Sequence, residues 1–151
     1  MMFKTHVAFA ILVGIVFIQM FEMQYWWLFL LVTVFIAGIP DIDAHKSTYG
    51  KRIKPLSFLI NLFFGHRGLF HSFIFAVFLF IIFNLFGNST LAAASLLGYS
   101  SHLLLDALTK QGIMPLVPIS TFRVHGFIKS GGIFDWALFF VFIIGIVFVL
   151  I

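Results

Sequence analysis

The chain has 151 residues, of which 62% are hydrophobic and only 9% charged, with a mean hydropathy of +1.16. No soluble domain of this size can hide that much apolar surface, so the composition predicts an integral membrane protein. The absence of cysteine excludes a disulfide framework, thiolate chemistry and Cys-based zinc sites. The net charge of +4 comes from basic residues grouped on one side of the apolar stretches, and reads as a topology signal rather than a nucleic-acid footprint.

The first expected span covers residues 3–21, close to the roughly 20 apolar residues a bilayer requires. His6 lies in its first turn, beside Lys4. The stretch lacks a small-residue cleavage site and is read as a mature helix, not a signal peptide. Tyr25, Trp26 and Trp27 form an aromatic belt where the chain turns back. The second span, about 26–39, ends at Gly38-Ile39-Pro40, because proline disfavours helix in the residue before it.

Asp41, Asp43 and His45 follow, then Lys46, Lys51, Arg52 and Lys54. The apolar piece at 56–64 is too short to cross and predicts an interfacial or re-entrant segment. After Gly65-His66-Arg67-Gly68 comes the third span, about 69–86, with His71 and Ser72 in its first turn. Ser89 or Thr90 is the expected cap of the fourth span, about 90–108. A mixed segment rich in Gly, Pro and basic residues precedes the fifth span, about 133–151, with Asp135 in its first turn. The expected architecture is one all-α domain, a bundle of about five transmembrane helices.

All nine Lys and Arg fall on one side of that arrangement. The positive-inside rule puts the N-terminus and both long loops in the cytoplasm and the C-terminus outside, in a multi-pass protein of the cytoplasmic membrane. His6, Asp41, Asp43, His66, His71, His102 and Asp106 then all come to the cytoplasmic ends of their spans. The outer ends offer only Glu22. Four helices delivering His or Asp to one depth predicts a site there, most simply a metal site.

The strongest pair is His102 and Asp106 in Ser101-His102-Leu103-Leu104-Leu105-Asp106. Residues four apart share a helix face, and ionisable groups inside a span are costly enough to mark function by default. An imidazole and a carboxylate so placed can ligate one ion or relay a proton. The structural alternative is a neutral histidine bonded to its aspartate as packing glue. Asp41 and Asp43 can clamp or bridge cations, against the alternative of ordinary turn residues. His66 and His71 share a face only if His66 lies in the preceding turn, which Gly65 and Gly68 permit. Arg67 suits a phosphate, or serves as a membrane anchor. Whether His45, His125 and Asp135 join the site stays open. His, carboxylate and water suit Zn, Mn, Fe or Mg. No HExxH, GxSxG, P-loop or GxGxxG is present.

Thr5-His6, Pro40-Asp41-Ile42-Asp43, His66-Arg67-Gly68-Leu69-Phe70-His71-Ser72 and Gly98-Tyr99-Ser100-Ser101-His102-Leu103-Leu104-Leu105-Asp106, in this order and spacing, resemble the YdjM-like family of membrane-bound metal-dependent hydrolases. That family is remotely similar to the zinc-dependent phospholipase C and single-strand nuclease superfamily. The resemblance covers nearly the whole chain. It implies phosphoester hydrolysis at a centre of one to three divalent ions, zinc first and manganese second, held by His6, Asp41, Asp43, His66, His71, His102 and Asp106. The family often carries an acid after a Gly/Ser pair near the last span; Ser130-Gly131-Gly132-Ile133-Phe134-Asp135 offers Asp instead of the more usual Glu.

The expected function is hydrolysis of a lipid or polyprenyl phosphoester at the cytoplasmic interface. Asp41 or Asp43 would bridge metals or act as base, and Arg67 would neutralise charge on the phosphate. Two other classes stay open: divalent-metal transport or sensing, and a structural metal site without chemistry. The oligomeric state is left open.

Overall fold

The computed structural model describes residues 1–43 and 68–151, with the side chain of Asp43 excepted. The expected segment 56–64 and the residues His45, Lys46, Lys51, Arg52, Lys54, His66 and Arg67 lie outside the described residues. Within them the architecture is all-helical. Helices α1 (Phe3–Phe21), α2 (Trp26–Ala37), α3 (Phe73–Leu85), α4 (Ser89–Ala107) and α5 (Ile133–Leu150) are joined by turns, and short 3-10 turns occupy Pro40–Asp43 and Leu69–His71. No strand forms among the described residues; residues 109–132 carry two isolated β-bridges.

Helices α1 and α5 are long and apolar enough to cross a membrane. Helices α2 and α3, with 12 and 13 residues, reach only about 18–20 Å at 1.5 Å per residue, short of the roughly 30 Å hydrocarbon layer. Helix α4 has 19 residues, but it trades bulk for Ala, Ser and Gly.

Three boundaries differ from expectation. Helix α2 stops at Ala37, and the chain reaches Asp41 through Gly38 and a 3-10 turn. His71 does not begin α3: Ser72 is extended and caps the helix, its hydroxyl accepting from the Phe75 amide at 3.3 Å. A side-chain oxygen that satisfies a free helical N–H competes well with one more turn of helix. Asn88, not Ser89 or Thr90, caps α4, accepting from the Leu91 amide at 2.9 Å.

The small residues of α4 explain its place at the centre, packed on α1, α2 and α3, with α5 resting on α1. A Cβ built at Gly98 would stand 2.2 Å from the Thr33 carbonyl oxygen, so only glycine lets α2 and α4 approach this closely. Lipid supplies no hydrophobic force between helices; close backbone approach and dispersion contacts do that work. Ile36, Ala76, Tyr99, Leu103 and Ile113 form the core beneath.

Candidate metal centre

The polar cluster sits at one end of the bundle because each contributor lies near a helix end. His6 is in the first turn of α1, and Asp106 is the penultimate residue of α4. Asp41 and His71 belong to the 3-10 turns that follow α2 and precede α3. Tyr99 pins the second turn by donating its hydroxyl to the Phe70 carbonyl. Non-helical backbone near membrane depth is tolerated where protein buries it and its polar groups find partners, as here.

Asp106 is the hub. Its Oδ1 lies 3.3 Å from His6 Nε2, and its Oδ2 lies 3.7 Å from His71 Nε2 and 3.8 Å from His102 Nε2. His102 Nε2 is also 3.9 Å from Asp41 Oδ1. The Met1 ammonium approaches Asp106 Oδ1 to 2.6 Å. The His6 and His102 rings stack at 3.9 Å with 9° between their planes. His6, His71, His102 and Asp106 are all buried, and Asp41 alone keeps a fifth of its side chain exposed.

The tautomer of His102 follows from one contact. Its Nδ1 is 2.8 Å from the Ala37 carbonyl oxygen. A carbonyl can only accept, so Nδ1 carries the proton, and Nε2 turns a lone pair toward the cluster. Metal-binding histidines are commonly held in this way. Neither His102 Nε2 nor His6 Nδ1 has a hydrogen-bond partner among the described residues.

Two overlapping groups can each hold an ion: His6, His102 and Asp106, and Asp41, His71 and His102. Five of the seven expected ligands are therefore brought together. The Asp43 side chain, His66 and Arg67 lie outside the described residues. Of the open positions, His125 is exposed and belongs to neither group.

Asp135 is buried at the same end but plays another part. Its carboxylate accepts from the Thr5 hydroxyl at 2.7 Å, the Met2 amide at 2.9 Å and the Gly131 amide at 2.8 Å. It clamps the start of α5 to the start of α1, one residue from His6. Its place in the first turn of the last helix and the Ser130-Gly131-Gly132 stretch before it were the advance signals.

A family model described as YdjM inner membrane protein matches residues 1–151. The chain belongs to that family. Among its relatives, the inner membrane protein YdjM of Escherichia coli (strain K12) is 36% identical over 99 residues, 62% of this chain and 50% of that protein. The uncharacterized protein YvsG of Bacillus subtilis (strain 168) is 39% identical over 90 residues, 59% of this chain and 56% of that protein. The chain thus spans about half the length of the relatives it matches. No solved structure matches. Membership of the YdjM inner membrane protein family points to a membrane protein, in keeping with the two helices long and apolar enough to cross a bilayer.

Proposed function

We propose that the protein is a five-span membrane hydrolase, N-terminus cytoplasmic and C-terminus outside, that holds one or more divalent ions and cleaves a lipid phosphoester at the cytoplasmic interface. Zinc is the first choice of ion and manganese the second. The observation that carries the reading is the convergence of three buried imidazoles and two carboxylates from four separate helix ends. The one-sided distribution of all nine basic residues supports the topology.

The donor set fits a small divalent ion. Zinc bonds of 2.0–2.2 Å at tetrahedral angles leave neighbouring ligand atoms about 3.3–3.6 Å apart. The separations here, 3.3–3.9 Å, start at that value and exceed it slightly. The buried His102 Nε2, without a partner among the described residues, is costly, and ligation removes that cost. An ion would be held either by His6, His102 and Asp106 or by Asp41, His71 and His102. When bound, the metal supplies a water acidic enough to ionise near neutral pH and a Lewis acid for a phosphoryl oxygen. Asp41, the most exposed of the five, sits at the edge of the cluster and is the residue to accept a proton there. Asp43 and His66 keep the ligand roles the family resemblance implies, and Arg67 the phosphate contact that its planar, bidentate guanidinium suits.

The burial of the cluster favours a second reading, a structural metal site that ties helix ends together. Four protein ligands close a structural site, whereas a catalytic one keeps a position for water. Transport is less well supported, because the far end offers Glu22 and Gln19, and the Gln19 amide donates to the Val149 carbonyl at 3.0 Å.

The test is metal content of the detergent-purified chain beside His102→Ala and Asp106→Ala, with phospholipid and polyprenyl phosphate hydrolysis assayed on the same samples. Bound zinc or manganese, lost in both variants together with turnover, supports the hydrolase. Bound metal without turnover on either substrate class leaves the structural reading. A metal-free wild type from a chelator-free preparation refutes both.

A further inference from the structure

Residues 109–132 form a tightly tied hairpin whose outward surface is both apolar and basic. Ile113 and Val124 exchange two backbone hydrogen bonds of 2.9 Å, the Lys110 amide donates to Ile128, and the Gly126 amide donates to Thr109. Ile113 is buried in the core, and the Pro115 carbonyl accepts from the Phe73 amide at 2.9 Å. The hairpin is therefore fixed to the bundle at the end that carries the metal centre. Even so, Ile119 is 82% exposed, Phe122 66% and Phe127 70%. Large apolar side chains presented together by an ordered backbone mark a contact surface.

Three observations identify what covers it. The Phe127 ring meets Phe134 edge-to-face at 6.0 Å, and Phe134 is an exposed first-turn residue of α5, a helix apolar enough to cross the membrane. The apolar surface of the hairpin thus continues the surface that α5 gives to lipid. The hairpin also exposes Lys110, Arg123 and Lys129, and no acidic residue occurs between Thr109 and Gly132. Finally, a cleft of about 280 Å³ opens between its two ends, lined by Thr109, Lys110, Gln111, Ile128, Lys129 and Ser130. Two ammonium groups and the Ser130 hydroxyl match a phosphate.

We propose that the hairpin is a docking site for anionic phospholipid: Ile119, Phe122 and Phe127 enter the interface, and Lys110 and Lys129 hold a headgroup phosphate in the cleft. Basic residues beside an anionic leaflet attract its headgroups, and their paired backbone lets apolar neighbours enter without exposing unmatched amides. Lipid held there lies at the end of the bundle where the His/Asp cluster sits. The proposal depends on the membrane setting and not on the metal.

The chain contains no cysteine, so Phe127→Cys gives a single labelling site on these 151 residues. A fluorophore at that position, in vesicles of equal parts phosphatidylglycerol and phosphatidylcholine, is expected to be quenched by nitroxide-bearing lipid. An unquenched label overturns insertion. Native mass spectrometry of the detergent-solubilised chain is expected to show phosphatidylglycerol retained over phosphatidylcholine. The Lys110→Gln/Lys129→Gln variant should lose that preference by about tenfold, and Lys110→Arg/Lys129→Arg should keep it. A preference absent from the wild type, or unchanged by the Gln pair, overturns the headgroup site. Because neither lysine belongs to the His/Asp cluster, metal content should be unchanged in every variant.

Discussion

Asp106 and Asp135 are both fully buried, at the same end of the same bundle, on either side of the start of α1, yet their surroundings differ in kind. Asp135 accepts three conventional hydrogen bonds from two backbone amides and a hydroxyl. Three of its roughly four acceptor sites are occupied by fixed donors, and the carboxylate is a clamp. Asp106 faces three imidazole nitrogens at 3.3–3.8 Å, and the Met1 ammonium beside them. These distances are too long for most of the contacts to be hydrogen bonds. Burial and charge alone do not make a site; Asp135 is held by two backbone amides and a hydroxyl, whereas Asp106 accepts from the Met1 ammonium and stands among imidazoles that mostly lie beyond hydrogen-bond distance.

Mutation of each carboxylate breaks the comparison at its ends. Asp106→Ala removes the hub that both faces of the cluster share, and metal affinity should fall by more than about a hundredfold, exceeding the cost of losing an outer partner; titration with a competing chelator measures this. Asp135→Ala leaves the Thr5 hydroxyl and two amides without an acceptor. It should cost about 2–3 kcal/mol, read as a lower thermal midpoint in detergent. Because the clamp sets α1 next to His6, metal affinity should fall with it, but only by about tenfold. Gly98→Ala loosens both regions by driving a methyl group into the Thr33 carbonyl, with an expected loss of about 1–3 kcal/mol. Thr5→Val is the mildest, removing one of three hydrogen bonds to Asp135 for about 1 kcal/mol. Should Asp135→Ala weaken metal binding as much as Asp106→Ala, the two carboxylates would form one unit.

Much of the helical scaffold could be read from apolar runs. Trp26, Gly87 and Asn88 punctuate them, although the expected third span, 69–86, yields only the helix Phe73–Leu85. The His102–Asp106 pair was legible because helical spacing is a local property. Convergence of His6, Asp41 and His71 on it followed from counting which end of each span carried them. What escaped was set by partners distant in sequence. The 3-10 turn at Leu69–His71 depends on Tyr99 reaching the Phe70 carbonyl, 29 residues away. The role of Asp135 depends on Met2 and Thr5, more than 100 residues earlier. The lone pair of His102 depends on Ala37, whose carbonyl is invisible to any motif. Asn88 outcompeted Ser89 and Thr90 as a cap, a choice among adjacent good capping residues that composition does not rank.

The hydrogen bond between His102 Nδ1 and the Ala37 carbonyl has a genetic consequence. Every amino acid brings the same carbonyl to position 37, so no single codon change there can delete the acceptor itself. The proton on His102 is thus protected against ordinary mutational drift by a group that evolution cannot edit. It remains vulnerable to changes that move helix α2 as a body, such as an inserted or deleted residue, or a larger side chain at Gly98, where that helix touches its neighbour.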